Sequence, residues 1–159
     1  MSDTVLSATE EFVRLQLQHA LTMEDDSLAS LERLEQASRS PEVGELFRHH
    51  QEETKQQIEN LHRVFGELGL PMLASPSPAT KGIVQQAETL LAQAGPTRQD
   101  EAALTAALGS EHYEVAVYTA LLASLTDGEP EVAYLLHSNL DQEHHTSNEL
   151  AVCLRKRAH

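Results

Sequence analysis

Three prolines within eight positions, Pro71, Pro76 and Pro78, split this chain into two halves, and each half reads as a pair of long helices. No helix runs through that density of fixed φ angles and missing amide donors. Before the break, Ser7 and Glu10 form a capping-box pattern, and apolar residues recur at Val13, Leu17, Leu21, Leu28, Leu31 and Leu34. Ser40-Pro41 signals a second start, followed by Val43, Phe47, Ile58, Leu61, Phe65 and Leu68 and a stop at Gly69. After the break, Thr97 with Asp100 reads as the cap of a third long helix bearing Leu104, Leu108, Val115, Leu122 and Leu125. Asp127-Gly128-Glu129-Pro130 then turns the chain into a fourth, with Val132, Leu136, Leu140, Leu150 and Leu154 inward. The last turn carries Arg155, Lys156 and Arg157, where cations suit the helix dipole. Each long helix spans roughly 27 to 30 residues, or about 40 to 45 Å.

Composition agrees with an all-α chain. Leu, Ala and Glu supply 24, 19 and 19 of the 159 residues, against 11 for Ile and Val together and no Trp, so little is available to build a sheet. One domain over 1–159 is expected, with long helices at about 7–38, 41–69, 98–126 and 130–157. The crossover at 70–97 holds one short helix from about Thr80 to Ala94. Short links make antiparallel neighbours, and a long crossover between two hairpins is the arrangement of a ferritin-like four-helix bundle. An irregular helical bundle of the same lengths is the alternative.

Charge excludes several partner classes. Eleven Lys and Arg against 25 Asp and Glu give a net charge of −14, which disfavours nucleic acid and anionic membrane surfaces. The single Cys153 allows no internal disulfide and has no nucleophile's setting. No Gly-rich phosphate loop is present, no apolar run is long enough to span a membrane, and MSDTVLSATEEF has no secretory pattern, so a soluble, cytoplasmic protein is expected.

The acids that fall on apolar stripes point to chemistry. Glu24 interrupts the series Leu17, Leu21, Leu28, Leu31. Stepping back from Leu61 lands on Gln57 and Thr54, with Glu53 and His50 beside them. The third long helix places Glu111 and Glu114 between Leu108 and Tyr118, and the fourth runs Leu136, Leu140, Glu143, Ser147, Leu150, Leu154. Glu24 and Glu53 are 29 residues apart, as are Glu114 and Glu143, and the two pairs are offset by 90, which reads as a pseudo-repeat of two hairpins. Five buried carboxylates without counter-charge would each cost several kcal/mol. No inward Lys or Arg is expected nearby, and two divalent metals would supply the balance. A lone Glu near a stripe usually snorkels to solvent; four helices doing so at matching heights is the pattern of a metal site. Of nine histidines most read as surface imidazoles, with His50 and His144 as candidate nitrogen donors. Tyr118 is expected to pack in the core, with a hydrogen bond to a ligand carboxylate as the alternative. Gly109 is expected to permit close helix approach, and Asp25 and Asp26 to be solvated.

The segments His49-His50-Gln51-Glu52-Glu53-Thr54, Gln57-Ile58-Glu59 and Ser110-Glu111-His112-Tyr113-Glu114-Val115-Ala116 resemble the YciF-like branch of the ferritin-like superfamily, bacterial proteins linked to stress responses. The resemblance covers about residues 10–152. It implies an antiparallel four-helix bundle, a homodimer and a dinuclear iron-type site like that of rubrerythrin, without implying a known reaction. By that resemblance Glu24 is the lone ligand of the first helix and Glu53 the bridging carboxylate of the second. Glu111 and Glu114 form the pair of the third long helix, and Glu143 is the carboxylate of the fourth. Two Glu-x-x-His motifs are expected in such a site, but position 56 is Gln and position 146 is Thr, and relatives often carry an acid at Ser147. His50 and His144 are the candidates to replace the missing donors.

The expected function is therefore a dinuclear carboxylate protein holding two Fe per chain, with Mn or Zn as alternatives, and handling O₂ or H₂O₂ by ferroxidase- or peroxidase-like chemistry. A Mn site disproportionating peroxide is a variant of it. The rival is a non-catalytic helical dimer acting through protein contacts, with a structural or vestigial metal.

Overall fold

A computed structural model describes residues 7–125 and 128–157 and contains five helices: α1 (Ala8–Ala37), α2 (Pro41–Glu67), α3 (Pro78–Ala94), α4 (Gln99–Ser124) and α5 (Pro130–Arg157). Expectations that fall on residues 1–6, 126–127 and 158–159 lie outside the described residues, among them part of the turn before Pro130. The Ser7 hydroxyl accepts the Glu10 amide, and the Glu10 carboxylate accepts the Ser7 amide, completing the capping box that opens α1. Pro41 opens α2 as its first helical residue, and Gly69, at φ +63°, takes the left-handed conformation just past its end.

Two apolar clusters establish the topology. Leu31 and Leu34 late in α1 pack with Val43 and Phe47 early in α2, Leu104 early in α4, and Leu150 and Cys153 late in α5. Leu17 and Leu21 pack instead with Leu61 and Phe65, Tyr118 and Leu121, and Val132 and Leu136. So α1 and α5 run one way and α2 and α4 the other. Both α1 and α5 pack on α2 and on α4, giving an antiparallel four-helix bundle whose halves are joined by a long crossover. Burial of each Leu or Phe in these clusters stabilises the fold by roughly 1.5 to 3 kcal/mol.

The crossover is tied to α1: the Thr22 hydroxyl donates to the Ser75 carbonyl at 2.6 Å, and the Thr80 hydroxyl donates to Asp26 at the same distance. Asp26 is therefore an anchor for the start of α3 and not a solvated acid. The short helix begins two residues earlier than expected, at Pro78, with Ser77 as its cap. It covers α4, which buries Ala102, Ala103, Ala106 and Ala107.

The inward positions follow one rule in all four long helices. They are Val13, Leu17, Ala20, Glu24, Ser27, Leu31 and Leu34 in α1, and Val43, Phe47, His50, Thr54, Gln57, Leu61 and Val64 in α2. In α4 they are Leu104, Ala107, Glu111, Glu114, Tyr118 and Leu121, and in α5 Val132, Leu136, Asn139, Glu143, Thr146, Leu150 and Cys153. The steps alternate between three and four, the period of about 3.5 residues that supercoiled bundle packing imposes. That period corrects several expected positions: Leu108, Val115, Leu122, Leu140 and Leu154 are only half-buried, while Ala107, Leu121, Asn139 and Cys153 face inward.

Two other expectations are corrected. Apart from its chain neighbours and the nearby backbone of α4 itself, nothing lies within 4 Å of where a Gly109 Cβ would be, so it serves no close approach. Asp100 does not cap its own helix with Thr97; the N-cap is Arg98, without a side-chain hydrogen bond. Asp100 is buried and accepts the Arg39 and Ser40 amides at 2.7 and 3.1 Å and the Arg157 guanidinium at 2.6 Å. It joins the α1–α2 link, the start of α4 and the end of α5. That contact gives Arg157 a specific partner beyond the helix dipole.

Candidate metal centre

Between the two apolar clusters the bundle carries a polar layer, and the bundle period puts it there. One inward position of α1, two of α4 and one of α5 are Glu24, Glu111, Glu114 and Glu143, all at least 97% buried. Oxygens of Glu24, Glu114 and Glu143, from three helices, lie within 4.8 Å of one another. Glu111 lies one turn before Glu114 on the same inward face of α4.

Burial is the main reason these carboxyls resist ionisation. It lifts Glu114 to about 7. It raises Glu24 well above the ordinary carboxylate range, with the charges of Glu143 and Glu114 adding to the effect and the Tyr118 hydrogen bond opposing it. Glu111 and Glu143 are raised by burial and by the Glu114 charge. Both oxygens of Glu114, and one each of Glu24, Glu111 and Glu143, have no hydrogen-bond partner. Buried acceptors left unpaired are costly, and among the described residues no Lys or Arg is paired with any of the four.

The remaining sequence candidates are distributed unevenly. Glu53 sits beside the inner seam of α2, not on it, and its side chain is 17% exposed. Burial raises its pKa, but hydrogen bonds from His50 and Thr146 and the nearby His50 and His49 rings outweigh that and hold it below the usual value. His50 is buried, with Nδ1 2.9 Å from Glu53 and Nε2 unpartnered. His144 is exposed; adjacent to Glu143 on a helix it points about 100° away and does not join the cluster. Thr146 faces the centre and donates to Glu53 at 3.1 Å, whereas Gln56 faces solvent and bonds Asn60. So a histidine at position 146 would reach the centre, while one at position 56 would start from the solvent face.

A polar relay beside the cluster begins with the Tyr118 bond that the sequence offered as the alternative to packing, and continues through Asn139 and Asn60, which it did not single out. The Tyr118 hydroxyl donates to Glu24 and accepts from Asn139 at 3.0 Å. Asn139 also donates to the Gln57 carbonyl at 3.2 Å and accepts from Asn60 at 2.8 Å. Tyr118 thus holds a carboxylate oxygen as well as filling core space. The alternating three-four step from Leu136 would have found Asn139.

Comparison with known proteins agrees with this architecture. A protein from Escherichia coli strain K12, Protein YciF, is 30% identical over 143 residues, covering 87% of this chain and 85% of that one. The crystal structure of the E. coli stress protein YciF superposes with a TM-score of 0.90 at 24% identity, over 96% of this chain and 98% of that one. YcfI from Rhodopseudomonas palustris superposes with a TM-score of 0.86 at 27% identity, over 95% and 97% of the two chains. A family model described as a domain of unknown function, DUF892, matches residues 7–159, and the chain belongs to that family and is a homologue of YciF.

Proposed function

We propose that this chain is a dinuclear-metal carboxylate protein, with Glu24, Glu111, Glu114 and Glu143 as the central ligands and Glu53 with His50 at the margin. The observation that carries this is the set of four buried glutamates with five unpartnered oxygens and, among the described residues, no cationic side chain paired to them. Two divalent ions bring a charge of +4, matching four carboxylates, and an oxygen-rich donor set suits iron or manganese. Bound iron supplies redox chemistry with O₂ or H₂O₂, the basis for a ferroxidase- or peroxidase-like role in stress. The chain's own residues do the rest. Tyr118 orients Glu24, Thr146 and His50 orient Glu53, and the apolar clusters on either side exclude water. Carboxyls held protonated by burial must release protons when metal binds, so affinity rises with pH. Among the described residues no helix is long and apolar enough to cross a membrane. The homodimer and cytoplasmic placement belong to the same proposal.

The test is metal content per chain after anaerobic Fe(II) loading of untagged protein. About two Fe per chain are expected, falling sharply in Glu114→Gln with the fold intact; no bound metal refutes the proposal. The solvent-facing Gln56 favours the rival, a non-catalytic helical protein acting through protein contacts. Loaded protein that neither oxidises Fe(II) nor consumes peroxide would select it.

A further inference from the structure

We infer that the seam between α2 and α5 carries a second cation site, separate from the four central glutamates and formed by His50, His145 and Glu149. Glu149 stands between two imidazoles: its Oε1 is 3.4 Å from His145 Nε2 and its Oε2 is 3.9 Å from His50 Nε2. Both separations are too long for good hydrogen bonds. The first is close to the ligand-to-ligand edge, about 3.3 Å, of a tetrahedral ion bound at about 2.0 to 2.1 Å; the second is longer, so the donors must draw together around an ion. His50 Nε2 and Glu149 Oε2 are buried atoms without partners, and the His50 side chain is 98% buried, so a deeply held donor already faces this carboxylate.

The opposite edge of His50 is occupied. Its Nδ1 meets Glu53 at 2.9 Å, the carboxylate–imidazole arrangement that fixes a ring so that its other nitrogen can bind metal. His145 and Glu149 are 66% and 37% exposed, so they can close by rotation on a cation arriving from solvent. They line an open groove with His49, Glu42, Glu45 and Lys156, in which three carboxylates outnumber one ammonium and favour cations. Two imidazoles and one carboxylate suit a borderline divalent ion such as Zn²⁺ or Co²⁺, whereas the central cluster offers oxygen alone from its four glutamates. His50 is the link, since it contacts the inner Glu53 on one side and the outer Glu149 on the other.

The probe is Co²⁺, titrated into the untagged full chain carrying Glu24→Gln, Glu114→Gln and Glu143→Gln, which removes the central carboxylates. One Co²⁺ per chain is expected, with visible absorption of a nitrogen-ligated, low-coordinate ion, displaced by Zn²⁺. His145→Ala, at an exposed position, and Glu149→Gln, at a half-buried one, should each weaken it at least about tenfold. No Co²⁺ in the triple variant, or binding unchanged by His145→Ala, overturns the site. If the triple variant does not fold, His145→Ala in the otherwise native chain must lower Co²⁺ content by one equivalent, and an unchanged content overturns it. A native chain that, like the triple variant, binds one Co²⁺ counts against the central metal centre and supports the groove site.

Discussion

Replacing Glu114 by Gln should stabilise the metal-free protein, and the size of the effect follows from its burial. In the fold its carboxyl sits at about 7 against an ordinary 4.5, because burial disfavours the ion. The folded value is the higher one, so the folded state binds the proton more tightly than the unfolded chain does. Stability is therefore greatest below about pH 4.5 and is lost as pH rises through 7. At about 1.4 kcal/mol per pKa unit, the loss is roughly 3 kcal/mol, most of it between about pH 5 and pH 8. The Glu114 charge also raises Glu24, Glu111 and Glu143, so neutralising it relieves three further buried acids. Urea denaturation of protein held in chelator, followed by helix signal, measures this directly. At about pH 8 the variant should exceed the native chain by roughly 3 kcal/mol or more, a Tm higher by about 6 to 12 °C, and the gap should narrow at about pH 5. Added Fe(II) should reverse the order, stabilising the native chain and not the variant. A variant equal to or weaker than the native chain at pH 8 would show that the layer is not an electrostatically strained cluster awaiting cations.

Three further outcomes test the structure. Tyr118→Phe leaves Glu24 and Asn139 each short of a partner and should cost about 1 to 3 kcal/mol in urea denaturation, with weaker metal retention on dialysis. Asp100→Ala strips two amides and Arg157 of a buried acceptor and should cost about 2 to 4 kcal/mol; a change under about half a kcal/mol would mean the three-way tie is not made in solution. Gly109→Ala, in open space inside α4, should raise stability by about 0.5 to 1 kcal/mol, and a loss would restore the close approach that the structure excludes.

Local chemistry made much of the fold legible. The Ser7–Glu10 box, the Pro41 start, the Gly69 stop and the prolines of the crossover act over a few residues, so they can be read without knowing what packs where. The same holds for the inward glutamates: a charged residue on an apolar stripe is anomalous in any helix, and Glu24, Glu111, Glu114 and Glu143 are all buried. Tertiary structure decided what depends on a partner. Supercoiling shifted the inward period to about 3.5 residues, which exchanged Leu140 for Asn139 and Leu122 for Leu121. It also left Glu53 beside the seam and His144 in solvent. Asp100 found its partners sixty residues away in the α1–α2 link, and Tyr118 found Glu24 across the bundle. Helix boundaries follow from the chain's own backbone, whereas the partners of a buried polar group are chosen by the helices that surround it.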